Sequence, residues 1–181
     1  MGQYFEAINI TKGEFVEPHD YDSFSKLTEH SYRKNDFMCA IEGLLQPGGA
    51  WHKDKIVWAG DYAESGLYTP EGYEGNIYDC ASDGVLKKIE PEITTHLSEY
   101  LLNHDKKQFI NMETLPSYDG GWIIHPLSLL TAIGNGEGGG DFYTSDKKML
   151  SYVGSWAGDS ISAEEFVPAD YEEIKPDFIE G

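Results

Sequence analysis

The chain has 181 residues with 32 Asp and Glu against 13 Lys and Arg, a net charge of -19, and 40% apolar residues with 13% aromatics. That much core-forming material excludes a disordered acidic tail and suits one folded domain of ordinary size. The acids are spread along the whole chain and Arg33 is the only arginine, so the forked guanidinium groups that grip phosphates are nearly absent, and the field disfavours direct binding of nucleic acid or anionic lipid.

In chain order, Tyr4 to Ile10 and Glu14 to Glu17 flank a turn at Lys12 and Gly13 and predict a hairpin. Asn35 or Asp36 caps a predicted helix with Phe37, Met38, Ile41, Leu44 and Leu45 on one face, stopped by Pro47, Gly48 and Gly49. Ile56 to Trp58 reads as a strand leading into Trp-Ala-Gly-Asp at 58 to 61. A connector over 66 to 98 carries a helix between Asn76 and Lys88. A second hairpin pairs Glu99 to Asn103 with Gln108 to Met112 around Asp105 to Lys107. Pro126 opens a helix through Leu127, Leu130 and Ile133, with Gly134 as its stop. Leu150 to Val153 reads as a strand leading to a second Trp-Ala-Gly-Asp at 156 to 159. An acidic end, 166 to 181, offers Phe166, Tyr171, Ile174 and Phe178 for docking on the body.

The two Trp-Ala-Gly-Asp segments, and Asn9, Lys12 and Phe15 repeated as Asn103, Lys106 and Phe109, recur at nearly the same displacement. The expected fold is therefore α+β: two diverged hairpin-helix-strand repeats, about 1–65 and 99–165, packed about a pseudo-twofold axis within one domain. Trp58 and Trp156 are expected at equivalent buried places. Gly60 and Gly158 are expected to make tight reversals at strand ends, with Asp61 and Asp159 bonding nearby backbone amides.

Candidate chemistry is sparse. Gly134, Gly136 and Gly139 satisfy the spacing of a dinucleotide-binding loop but follow a predicted helix instead of a strand, and Glu137 and Asp141 would face a pyrophosphate, so a glycine loop is the better reading. No serine lies in a nucleophile-elbow motif. The six histidines hold no zinc-binding spacing, which leaves His30, His125, Asp61 and Asp159 as the alternative metal or acid-base site, assembled only if the axis brings them together. Cys39 and Cys80 lie in no paired motif and read as reduced thiols. No apolar run is long enough to span a membrane and no signal-peptide pattern opens the chain, so a cytoplasmic location is expected.

The stretches Met-Gly-Gln-Tyr-Phe at 1 to 5, 56 to 63, 103 to 110, and the long segment from His125 to Phe142 together resemble a group of small bacterial and mobile-element proteins. The resemblance implies the world of phages and their hosts, in which small acidic proteins block nucleic-acid-handling enzymes as anti-CRISPR proteins do. It implies no catalytic residues and no cofactor. With the charge and the lack of a catalytic motif, it leads to an expected function: an acidic, non-enzymatic protein occupying a basic, nucleic-acid-binding surface of a partner, with Asp170, Glu172, Glu173, Glu137 and Asp141 as contact residues.

Overall fold

The computed structural model describes residues 1–179 and is α+β. In chain order the elements are β1 (Phe5–Asn9), β2 (Glu14–Val16), α1 (Leu27–His30), α2 (Asp36–Leu45), β3 (Lys55–Gly60), α3 (Ile77–Ser82), β4 (Lys87–Lys88), β5 (Tyr100–Asn103), β6 (Gln108–Asn111), α4 (Pro126–Leu130), β7 (Ala132–Ile133), α5 (Lys147–Tyr152), β8 (Asp159–Glu164) and β9 (Glu172–Glu173). Among the described residues the strands form one mixed sheet ordered β4-β2-β1-β3-β8-β5-β6-β9, with β7 beside β3.

From the central β3–β8 pair outward, both sides follow one scheme. A hairpin strand pairs antiparallel with the central strand, its hairpin partner comes next, and a two-residue parallel strand closes the edge. The hairpins share a register: Ala7 faces Val16 as Leu101 faces Ile110, and Asn9 faces Glu14 as Asn103 faces Gln108. Both turns also require the left-handed region, at Gly13 (φ 68°) and at Lys107 (φ 53°). In each, the asparagine side chain accepts the lysine amide, at 2.9 Å for Asn9 and Lys12 and 2.8 Å for Asn103 and Lys106.

Strand alternation sends Ala7, Val16, Trp58, Leu101, Ile110 and Ala163 into the main core, against α2 and α4. Ile8, Phe15, Val57 and Ala59 face the other way and are covered by α3 through Ile77, Cys80 and Ala81. In α2 the predicted face is buried as a set, and Asn35 is the cap, accepting the Met38 amide at 3.2 Å.

Several expectations are corrected. The two Trp-Ala-Gly-Asp segments do not correspond. The first ends a strand, with Trp58 opposite Ala7, whereas the second leads into β8, where the residue opposite Leu101 is Ala163. The counterpart of Trp156 is Trp51: both are fully buried, and their indole Nε1 groups donate to Glu14 at 3.0 Å and Gln108 at 2.9 Å, residues at the same register of the two hairpins. Asp159 likewise matches Asp54, not Asp61. Asn9 donates to Asp54 and Asn103 to Asp159, each at 2.8 Å, and Lys12 and Lys106 pair with the same two carboxylates.

Leu150 to Val153 is not a strand. Asp146 accepts the Lys148 and Met149 amides and starts α5 instead, because a local cap decides so short an apolar run. The connector helix stops at Ser82, with Gly84 at φ 77° turning the chain into β4. Ile133 belongs to β7 and not to the preceding helix. Gly60 sits in β3 against the Gln3 side chain, whose oxygen would lie 1.9 Å from a Cβ at that position, so close approach and not a left-handed turn demands glycine. At the acidic end Ile174 and Phe178 dock as expected, but Phe166 stands 86% exposed; the last two residues of that segment lie outside the described residues.

Candidate functional site

His30 and His125 are both fully buried. The indole of Trp58 donates to His30 Nε2 at 2.9 Å and the Phe24 carbonyl lies 2.9 Å from Nδ1, so both ring nitrogens are used by a neutral imidazole. Burial lowers the His30 pKa to about 4, although the Phe24 carbonyl works in the opposite direction. His125 caps α4, its Nδ1 accepting the Leu127 amide at 3.3 Å, while Nε2 meets Glu42 at 3.0 Å in a buried pair. Burial alone would raise the Glu42 carboxyl. The His125 hydrogen bond, the Ser98 amide and Arg33 outweigh it and hold the pKa below its ordinary value.

Asp61 accepts the Tyr4 amide at 2.9 Å, and Asp159 is taken by Asn103 and Lys106, side chains and not the amides expected. The four residues are thus engaged by separate partners. Among the described residues no group of three or more His, Cys, Asp or Glu side chains is arranged to hold a metal ion.

A serine-histidine contact absent from any sequence motif does occur. His104 Nε2 lies 2.6 Å from Ser162 Oγ and its Nδ1 lies 2.8 Å from the Tyr171 hydroxyl. Ser162 is fully buried, so no substrate reaches its hydroxyl. The chain of contacts ties the segment leading into β9 to the sheet.

The acidic contact residues are distributed differently from expectation. Glu137 and Glu172 are exposed; Asp170 is exposed but pairs with Lys107 at 2.9 Å, which lowers its pKa, and Glu173 is partly covered with Lys175 at 3.8 Å. Asp141 is not a surface contact. It is 5% exposed, and its Oδ2 accepts the amides of Gly136, Glu137 and Gly138 at 2.7, 3.0 and 3.0 Å and the Gln3 side chain at 2.7 Å. Successive amides of a glycine-rich loop converge on one acceptor, and here the protein's own carboxylate fills that position.

A groove of about 1100 Å³ lies between the segment Asp22 to Asn35 and the segments around Leu97 and Tyr118 to Ile123. Two aromatics on its walls face solvent, Phe24 at 73% and Trp122 at 61% exposure. Asp22, Glu29 and Glu113 bring negative charge to the lining and Arg33 and Lys34 bring positive. The Arg33 head is already engaged by the Met112 and Ser98 carbonyls and by Glu113 at 3.3 Å. Chain topology places Phe24 just before α1, and a tight turn at Gly120 and Gly121, both left-handed, presents Trp122. Nothing in the sequence distinguishes these two aromatics from those of the core; the flanking Gly120-Gly121 turn is the one local signal that Trp122 is displayed. Compared with known proteins, the chain matches no family model, no curated protein and no solved structure.

Proposed function

We propose that the protein is a non-enzymatic acidic binding protein that occupies a basic, nucleic-acid-binding surface of a partner, in the manner of nuclease or CRISPR-effector inhibitors. The observation that carries this reading is the groove itself: solvent-facing Phe24 and Trp122 around a cleft that holds Asp22 and Glu29, with Lys34 and the Arg33–Glu113 pair beside them, on a molecule of net charge -19. Exposed aromatics beside a concavity are the anchors from which interfaces draw most of their affinity, and the net negative charge of the molecule as a whole favours a basic occupant. The mobile-element resemblance supports the choice of partner class.

The two halves are read as diverged copies related by a pseudo-twofold axis between β3 and β8. Support comes from the matched strand scheme, the shared hairpin register, and the paired sets Asn9, Lys12, Trp51, Asp54 and Asn103, Lys106, Trp156, Asp159. The groove is then a departure from that symmetry, built from connecting segments and not from the repeated strands.

The test is capture from a bacterial lysate with the wild type and with a Phe24→Ala/Trp122→Ala variant, followed by competition with DNA for the captured protein. The reading expects one captured protein that DNA competes away and the variant fails to hold. Equal capture by the variant, or capture indifferent to DNA, would contradict it.

A further inference from the structure

Next to the groove lies a smaller cavity of about 260 Å³, and the two share Tyr32 and Tyr118 in their walls. Four aromatic rings line it, those of Tyr32, Tyr118, Phe142 and Tyr143, together with Asp141. No cationic side chain does. Asp141 concentrates all four of its donors on Oδ2, while Oδ1 is buried and finds no hydrogen-bond partner among the described residues.

A carboxylate oxygen buried without a donor leaves charge uncompensated on that side of Asp141, and a cation held in the cavity beside it would offset that charge through space. Aromatic faces attract a cation through their quadrupole, most strongly where water is excluded. A set of rings around one carboxylate, with no competing positive group, therefore suits an alkylammonium ion: the rings receive the methylenes and the cationic head, and Asp141 supplies the counter-charge. A neutral chain of the same length would gain only the apolar contact.

We propose that this cavity is a lysine-side-chain subsite, taking the ammonium end of a lysine from the basic partner segment that lies in the adjoining groove. The assignment of the lysine to a partner rests on the proposed function. The chemistry of the cavity does not, and it can be probed without the partner.

The experiment follows amide and side-chain resonances of the full chain during titration with n-butylammonium chloride, with n-butanol as the neutral control at matched ionic strength. Saturable shifts confined to residues 28–32, 118–124 and 141–143 are expected with the amine and not with the alcohol. Asp141→Asn, whose amide oxygen can keep the loop amides bound, should weaken amine binding tenfold or more. Should that variant lose its fold, Tyr143→Leu, at a half-exposed ring, serves the same purpose with the same expectation. Equal response to amine and alcohol, no saturation, or unchanged amine affinity in the folded variants would overturn the subsite. A second titration uses a short lysine-containing basic peptide: affinity at least tenfold above that of n-butylammonium is expected, because the rest of the peptide occupies the groove, and equal affinity would overturn the assignment to a partner's lysine. Amine binding that survives Phe24→Ala/Trp122→Ala, with loss of the peptide advantage, separates the subsite from the groove.

Discussion

The rings of Tyr32 and Trp122 meet edge-on with centroids 5.3 Å apart and an interplanar angle of 67°. This contact sits at the junction of groove and cavity, since Tyr32 lines both and Trp122 stands on the groove wall. It gives the solvent-facing indole a packing partner before any ligand arrives, and an aromatic restrained in this way loses less freedom on binding.

Replacing Trp122 by Ala should therefore separate binding from folding. With the indole 61% exposed, the expected stability loss is below about 1 kcal/mol. Partner affinity should fall by about 2 kcal/mol or more, mainly through faster dissociation. Denaturant midpoints and dissociation rates, measured side by side, check the two halves of this expectation.

The buried histidines should behave in the opposite way. His125→Ala leaves Glu42 buried and short of its partner, each side chain being 1% exposed in the wild type, and should cost about 3–5 kcal/mol. His30→Gln disturbs the Trp58 and Phe24 contacts and should cost about 1–3 kcal/mol. Partner affinity per folded molecule should stay unchanged in both, as read by binding titrations normalised to the folded fraction.

Stability should fall as pH rises above 6.5. Glu6 is 5% exposed with one oxygen lacking a partner among the described residues; burial, followed by the Glu17 carboxylate, raises its pKa to about 8, with Lys88 opposing and Asp61 adding to the rise. Between 4.5 and 8 the folded state keeps a proton that the unfolded chain has released, so increasing pH in that window destabilises the fold. His30, lowered to about 4, acts in the other direction between 4 and 6.5, where the unfolded chain binds the proton that the folded one rejects. Above 6.5 the Glu6 trend is the one of the two that remains, worth about 1–2 kcal/mol up to pH 8. Urea midpoints at pH 6.5 and 8 should show that decline in the wild type and a flat profile in Glu6→Gln.

If the halves are diverged copies, Trp51→Phe and Trp156→Phe should cost similar amounts, about 1–3 kcal/mol each, because each removes one indole hydrogen bond and leaves a small cavity where the larger ring is fully buried. A Trp58→Phe change should differ, since its indole serves His30 and not a hairpin side chain. Thermal unfolding of the three variants makes the comparison.

Local signals carry the parts of the fold that are legible in the sequence. The hairpins at Phe5–Val16 and Tyr100–Asn111 are legible because alternation and turn residues act over a few positions, and the cap at Asn35 is legible for the same reason. The shared hairpin register is legible in Asn9, Lys12 and Phe15 against Asn103, Lys106 and Phe109, but the identical tetrapeptides at 58 and 156 hide the likeness of Trp51 and Trp156, which is set by register and side-chain hydrogen bonds. Asp141 reads as a surface acid because nothing local reveals that Gln3, far away in the chain, closes over it. The groove is illegible for a related reason. Phe24 and Trp122 become a site only when distant loops meet, and composition alone assigns such rings to a core.

The most direct measurement of the central claim is the association rate of the captured partner as a function of salt, with wild type and Trp122→Ala in parallel. Attraction between a molecule of net charge -19 and a basic surface acts over a range that salt shortens to about 8 Å at physiological ionic strength. The account predicts association that slows steeply with salt in both proteins, and dissociation at least tenfold faster in Trp122→Ala. Association indifferent to salt, together with unchanged dissociation in the variant, would contradict it.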